Sequence, residues 1–448
     1  YDTTAFNLTM MYGLEAVTVP SNLEVGLKEW SPQNISIKTN PEAIIWAVDG
    51  VDDNSVAFAA RLMEKGVEVR IIDKEALLSK QTLSRGSIAV LAMDNPEYED
   101  LSETVNSIAS DLDISVLSIE SGFGAEELPD WGGRHFRLLE RPQIAILSQS
   151  GFSSYDVGVS WWSLDHHLGI RHSQIDASLV NYADLRRYNT IILPSGYRDM
   201  GEYEKKVLSD WMEQGGTLIA HAASSSALAS EQGIGSVKLL QNTFEESEKY
   251  NISLQRELSA LYEELDIESV NSNKVDLDTA YPWEQSEGKY SPSQLEYRDD
   301  WQSIFMPSGA FVSGRTDQEH WLTFGTNSTL PLLYRSYPVL MSDDSSEAPI
   351  RVGVFSDSAK ANTYSTINWS DIPPGKELKV RMSGLLWPEA AQRIANSAYL
   401  TRDRIGKGQL ILFSGEPNFR GATLGTNRVW LNAVVYGAGL GTEPRINP

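Results

Sequence analysis

The sequence contains no cysteine among its 448 residues. Disulfide bonds, thiolate metal sites and a cysteine nucleophile are therefore excluded, because each of them needs a thiol. Long apolar runs are also missing, and none approaches the roughly 20 residues of a membrane-spanning helix. Basic residues are few: 37 Lys and Arg stand against 61 Asp and Glu, for a formal net charge of -24. This charge repels phosphate backbones and anionic lipids, so neither nucleic acid nor a membrane is an expected partner.

The compartment is indicated by two of these features. Proteins that pass through an oxidising compartment avoid mispaired thiols by carrying none, and an acidic surface suits secretion into salty water. We therefore expect a secreted or periplasmic protein. The sequence opens at Tyr1, with no initiator methionine and no basic, apolar signal segment, which predicts a processed chain or a fragment.

Apolar patterning predicts a small α/β unit over about residues 35–130. Two apolar strands flank a helix that ends at Gly66, and this order demands a right-handed parallel crossover. A third strand and a second helix follow. The predicted strands are 43–48, 67–72 and 87–93, and the predicted helices are 53–65 and 98–112.

A second α/β unit is predicted after residue 140. The segment 128–142 has two prolines and paired glycines, which is typical of a linker. Strands and helices then alternate again, as in a doubly wound sheet. An acidic helical insertion is expected over about 231–300, with Leu254, Leu258, Leu261 and Leu265 on one face. The predicted strands are 143–147, one beginning near 173, 190–193, 217–221, 310–313, 350–355, 398–401 and 409–413, and the predicted helices include 203–214 and 430–436.

Four segments of this second unit carry a family resemblance. They read LERPQIAILSQSGFSSYDVGVSWWSLDHHLGI, DLRRYNTIILPSGY, WMEQGGTLIA and GKGQLILFSGEPNFRGATLGTNRVWLNAVVYG. The chain is similar to the C-terminal region of large secreted bacterial zinc carboxypeptidases, where a carboxypeptidase A-like domain precedes a linking α/β domain and a glutamine-amidotransferase-like domain. The resemblance implies two doubly wound domains, flavodoxin-like or amidotransferase-like: a linking domain over 1–140 and an amidotransferase-like domain over 141–448.

The resemblance also implies a function without catalysis in this chain. It implies an accessory or assembly region of a secreted zinc metallocarboxypeptidase, whose partner is the N-terminal catalytic domain of the same precursor, with a homo-oligomer as a further expectation. Carboxypeptidase A-like zinc sites need a His-x-x-Glu pair. No histidine has Glu three residues later, so no cofactor is expected here and zinc is expected in the missing catalytic domain. The histidines are His135, His166, His167, His172, His221 and His320.

The amidotransferase machinery itself is incomplete in the sequence. An active class I enzyme needs a cysteine on the sharp turn after a central strand and a His-Pro-Glu run. The turn here reads His221-Ala222-Ala223-Ser224, and the later loop has Glu416 and Asn418 where a histidine is expected. We therefore assign no catalytic residue, and we interpret Ser224 as a helix cap rather than a nucleophile activated by His221.

An alternative function is a peptide- or glycan-binding module that uses the crevice at the strand ends. Open α/β sheets bind ligands outside the carboxyl ends of their strands. Loops that follow predicted strands supply candidate crevice residues, namely Ser150, Gly151, His221, Ser224, Glu416, Asn418 and Arg420. No metal site is predicted: adjacent helical histidines such as His166 and His167 point about 100° apart. Asp49 and Asp52 are interpreted as part of a helix cap.

Overall fold

The protein is an α/β structure in which two large sheets are joined by a shared helical layer. It is a computed structural model that describes residues 6–14, 16–17, 19, 40–125, 128–197, 200–262, 289–358 and 365–443. The helices are α1 (Leu8–Met11), α2 (Ser55–Glu64), α3 (Leu101–Asp111), α4 (Ser154–Trp162), α5 (Glu202–Glu213), α6 (Ala222–Leu228), α7 (Ser247–Tyr262), α8 (Pro292–Ser303), α9 (Pro388–Ile394) and α10 (Leu424–Leu440). No described helix is long and apolar enough to cross a lipid bilayer.

The described strands fall into a five-stranded sheet, a twelve-stranded sheet and three two-stranded sheets. They are β1 (Ile45–Val48), β2 (Val69–Ile72), β3 (Ala76–Leu78), β4 (Gln81–Leu83), β5 (Ile88–Leu91), β6 (Leu117–Ile119), β7 (Phe136–Leu138), β8 (Ile144–Ser148), β9 (His172–Asp176), β10 (Thr190–Leu193), β11 (Thr217–His221), β12 (Lys238–Leu239), β13 (Ala310–Thr316), β14 (Thr329–Tyr334), β15 (Leu340–Met341), β16 (Glu347–Val352), β17 (Val354–Asp357), β18 (Ser365–Ile367), β19 (Ser370–Ile372), β20 (Lys376–Lys379), β21 (Arg381–Ser383), β22 (Ala398–Ile405) and β23 (Gly408–Phe413).

The first sheet corrects one part of the sequence prediction. Its strand order is β6-β1-β5-β2-β7, and every neighbouring pair is antiparallel. β1 and β2 do run in the same direction, as the strand–helix–strand pattern predicts, but β5 lies between them. One face packs on α2 and α3, whereas the hairpin β3–β4 packs on the other. A doubly wound first unit was therefore the wrong prediction, because apolar patterning does not reveal which strands become neighbours.

The second sheet confirms a doubly wound unit in its parallel half. The strands β9-β8-β10-β11-β23 are parallel throughout, in the order of flavodoxin-like sheets. Residues of α4 and α10 pack on one face, and residues of α5 and α6 pack on the other. β22, β16, β13 and β14 extend the sheet with antiparallel pairing. The four predicted tail strands thus contribute to the sheet, but the predicted strand 350–355 is divided between β16 and β17, and β17 pairs with β20 in a separate two-stranded sheet.

The helix α2 links the two sheets. Eight of its ten residues are buried, which is more than one apolar face. It packs against the first sheet, against α10, and against the π-helical turn Ser163–Leu168 that continues α4. One hydrophobic cluster therefore contains residues from both sides of position 140. The division into domains 1–140 and 141–448 stays a prediction.

The predicted acidic insertion contains two described helices, α7 and α8. Leu254 and Leu258 are buried, as their shared face predicts, whereas Leu261 is 45% exposed. Leu265 lies outside the described residues. The buried face of α7 packs on β19, and Asn251 fixes it there by donating to Asp371 at 2.9 Å. The insertion is therefore anchored to the antiparallel half of the molecule.

Candidate functional site: a crevice at the strand ends

A cavity of about 890 Å³ lies at the carboxyl ends of β10, β11 and β23. In a doubly wound sheet this edge is where the loops after parallel strands converge. Its wall includes Ser195 after β10, Ala222 after β11 and Glu416 after β23. The loop after β14 closes the opposite side with Arg335 and Tyr337. The polar crevice expected at the strand ends is therefore present.

The turn between β11 and α6 has the geometry of a nucleophile elbow. Ala222 takes a φ of +44°, in the left-handed region that residues with a Cβ rarely enter. Such a strained turn holds the side chain of its central residue above the sheet edge. The methyl group of Ala222 cannot act as a nucleophile, so this turn forms part of the cavity wall without supplying a reactive group.

His221 lies beneath the crevice and does not line it. It is 1% exposed and packs edge-on against Phe413 and Trp430, with ring centroids 5.7 and 6.1 Å away. Its Nε2 atom has no hydrogen-bond partner among the described residues. Burial lowers the pKa of His221 to about 3, so the imidazole is neutral at physiological pH.

The serines near His221 donate to backbone carbonyls, and Ser224 lies inside α6, whose N-cap is His221, so the predicted helix-cap role of Ser224 is wrong. Ser224 donates to the carbonyl of Pro194 at 2.6 Å, and Ser225 donates to the carbonyl of Phe413 at 2.8 Å. Neither hydroxyl is recorded in a hydrogen bond with His221. The serine and histidine are therefore not arranged as a nucleophile and its base.

Two carboxyl groups meet at the edge of the cavity. Glu416 lines it with a side chain that is 12% exposed. Asp156, on α4, lies beside Glu416 and is 8% exposed, and its Oδ2 atom has no hydrogen-bond donor among the described residues. Burial, reinforced by the Glu416 charge, raises the pKa of Asp156 to about 8, and burial also raises the pKa of Glu416. One carboxyl group of the pair therefore stays protonated near neutral pH.

Arg335 is the charged group nearest to this pair. Its Nη1 atom is 3.9 Å from Glu416, too far for a hydrogen bond. The guanidinium lies over the ring of Phe419, 5.3 Å from its centroid. A cation–π contact of this kind helps to hold the guanidinium in place, and Arg335 lines the crevice.

The remaining predicted crevice residues have structural contacts. Ser150 donates to Asp176 at 2.8 Å, and Gly151 takes a φ of +100° in the turn before α4. Asn418 is buried and donates to Ser163 at 3.4 Å, while Arg420 lies over Tyr155. Among the seven predicted residues, Glu416 is the one that lines the described cavity.

Sequence reasoning missed Asp156, Arg335 and Tyr337. Asp156 stands in the first turn of α4, where a carboxylate usually serves the helix end, so its pattern indicates nothing beyond capping. Arg335 and Tyr337 follow β14, far along the chain from the parallel strands. Only the antiparallel extension of the sheet brings them to the crevice.

The described residues contain no cluster of three or more His, Cys, Asp or Glu side chains that could hold a metal ion. His166 stacks on Trp162 with ring centroids 5.3 Å apart. Asp49 and Asp52 accept backbone N–H groups of the turn before α2, at 3.1 and 2.9 Å. Asp49 and Asp52 therefore stabilise the turn that precedes α2, whereas the helix itself has Asn54 as its N-cap and no side-chain cap hydrogen bond, so the predicted helix cap is wrong.

Comparison with known proteins yields distant structural likenesses. No protein family and no curated protein matches the sequence. A ThuA-like protein from Bacteroides uniformis is 11% identical, with 68% of this chain and 95% of that one covered and a TM-score of 0.32. A β-galactosidase from Bacillus circulans sp. alkalophilus is 12% identical, with 82% of this chain and 38% of that one covered, also at 0.32. Likenesses this weak carry no argument about activity.

Proposed function

We propose that this chain is a non-catalytic module that binds a polar ligand, a peptide or a glycan, in the crevice of an amidotransferase-like sheet. The main support for the proposal is the cavity of about 890 Å³ at the strand ends. The strained turn after β11, which would hold a nucleophile in an enzyme of this type, has Ala222 instead. A cavity of this size matches the volumes of small-molecule sites. The neutral, buried His221 supports the same proposal, since its ring does not line the cavity and no described serine hydroxyl donates to it.

The proposal is tested by titration calorimetry with a panel of short peptides and oligosaccharides. Ala227 lines the cavity from α6, and Ala227→Trp would fill it. Lys206→Trp, at a site 69% exposed on α5, is the matched control. We expect at least one probe to bind the wild type, to lose tenfold or more of its affinity in Ala227→Trp, and to bind Lys206→Trp normally without being turned over. Failure of every probe, or equal affinity in both variants, would contradict the proposal.

A second candidate is an accessory region of a secreted zinc carboxypeptidase, assembled on the catalytic domain of the same precursor. Exposed apolar side chains among the described residues near the start of the chain favour it: Leu14 and Val17 are 61% and 88% exposed. Apolar surface of this kind typically receives a partner. Intact mass, peptide mapping and zinc analysis of the protein from its natural source would test this. Upstream peptides with His-x-x-Glu and about one bound zinc would support it, and their absence would refute it.

A further inference from the structure

Three basic side chains line the crevice, and two of them already have close partners. Arg393 donates to both carboxylate oxygens of Asp299, at 2.7 and 3.1 Å. Lys205 donates to the carbonyl of Gln232 at 2.8 Å. Arg335 donates no recorded hydrogen bond to the described residues, although its side chain is only 34% exposed. A half-buried guanidinium with open donors is prepared to bind an acceptor.

Glu416 does not supply that acceptor. Its carboxylate stays 3.9 Å from Arg335 and faces Asp156 on α4, so the two acids compete for one proton. The other groups that influence Glu416 are Tyr337 and Arg420, which both favour its ionised form. With one proton bound, the acid pair carries a single negative charge, which the charges of Arg335 and Arg420 stabilise. The net charge at the mouth of the crevice therefore does not prevent an anion from binding there.

We propose that the crevice recognises a carboxylate of its ligand through Arg335, with the Asp156–Glu416 pair taking up a proton to admit the negative charge. The inference rests on the proposed function and names the chemistry of its ligand. A planar guanidinium held over Phe419 presents two parallel N–H groups, which match the two oxygens of a carboxylate. A lysine ammonium group would supply the positive charge but not the two parallel N–H groups.

Two sources supply such a carboxylate: the C-terminus of a peptide and the uronic acid of a glycan. The probes are therefore a tripeptide with a free C-terminus against its C-terminal amide, and a galacturonic acid disaccharide against its methyl ester. Titration calorimetry at pH 8, in buffers of different ionisation enthalpy, measures affinity and proton uptake together. We expect at least one free acid to bind tenfold or more tighter than its neutral partner, with net proton uptake.

Variants at Arg335 distinguish the two-pronged hydrogen bonding of the guanidinium from the effect of its positive charge. Arg335→Met should lose tenfold or more of the affinity for the acid, and Arg335→Lys should recover only part of it. Asp156→Asn should abolish the proton uptake, because one of the two competing acids is removed. Arg186→Met, at an exposed arginine paired with Asp184, is the control and should bind as the wild type does. Circular dichroism and the unfolding midpoint establish that each variant is folded.

The outcomes distinguish this inference from the proposed function. Equal binding of acid and neutral probes, unaffected by Arg335→Met, would overturn carboxylate recognition and leave the binding module standing. Tighter acid binding without proton uptake would overturn the role of the acid pair. No binding of any probe would overturn both. Preference for the peptide or for the sugar acid identifies the source, and either result supports the inference.

Discussion

Asp156 places a carboxyl group where little water reaches it. The folded protein holds a proton there up to a pH of about 8, whereas the unfolded chain releases it near 3.8. Between these values the native state binds more protons than the unfolded state, so the free energy of unfolding falls as the pH rises. This contribution to stability is fully present below about pH 4, declines as the pH rises, and is lost once the pH passes 8.

Asp156→Asn should flatten this part of the pH dependence. An amide does not titrate, so the decline between pH 5 and pH 8 should become shallower by up to about 1.4 kcal/mol per pH unit, the limit for one proton. Urea unfolding at several pH values measures the slope. A variant whose slope equals that of the wild type would show that the raised pKa is not at Asp156.

His221 should act at the opposite end of the pH scale. Its folded pKa of about 3 lies below the ordinary histidine value of 6.5, so the unfolded state binds the extra proton as the pH falls. The stability that the neutral His221 ring contributes is fully present above pH 6.5, and it is lost as the pH falls towards 3. His221→Leu should remove part of this acid sensitivity, at a cost of about 1 kcal/mol at pH 7 from altered packing. Unfolding at pH 4.5 and pH 7 tests it, and an unchanged difference between the two pH values would contradict it.

At the scale of elements, α10 connects the two sheets, because it packs on the second sheet and contacts α2 of the first unit. Its Arg428 is 3% exposed and donates to the carbonyls of Gly50 and Asp52, both at 2.8 Å. It also donates to Ser55 at 3.2 Å and to Asn432 at 3.1 Å. One side chain of the second unit thus caps the loop that leads into α2. The contact explains how a helix from one unit positions a helix of the other.

Arg428→Met should therefore be strongly destabilising. The substitution keeps the apolar stem but removes the donor of the buried Gly50 carbonyl and one of the two donors of the Asp52 carbonyl, which also accepts the backbone N–H of Ser55. The expected loss is about 3 kcal/mol of the free energy of unfolding. Arg404→Met is the matched control, because Arg404 is 63% exposed and its loss should change stability by less than about 1 kcal/mol. Guanidinium unfolding measures both variants. Similar losses in the two would contradict the linking role of Arg428.

At the scale of the whole molecule, a common core makes separate domains unfavourable. Ile71 and Val90 of the first sheet belong to the same buried cluster as Ile146 and Val434 of the second unit. Cutting the chain near residue 140 would expose the buried sides of α2 to water. We therefore expect the two sheets to unfold together.

A fragment of residues 1–140 should not fold independently. Its amide exchange should be unprotected and its thermal unfolding non-cooperative, whereas the full chain should show one calorimetric transition. Hydrogen exchange and scanning calorimetry are the measurements. A cooperative transition of the isolated fragment would instead support the domain boundary that the sequence predicts.

The sequence by itself determined the identity of most core elements. Thr190–Leu193 and Thr217–His221 are strands at the predicted bounds, because an apolar run between turn residues indicates a buried strand in either sheet. The missing cysteine and the absent His-x-x-Glu pattern likewise follow from residue types alone. Local pattern carries this information because neighbouring residues share one backbone conformation.

Tertiary structure decided which elements became neighbours. Only the antiparallel extension beyond β23 brings Arg335 to Glu416, 81 positions away in the sequence, and only the packing of α4 brings Asp156 there. Tertiary packing likewise determines that β5 lies between β1 and β2 in the first sheet. Long-range pairing depends on how whole apolar faces bury one another, and the alternation of residues along one strand does not encode its partner.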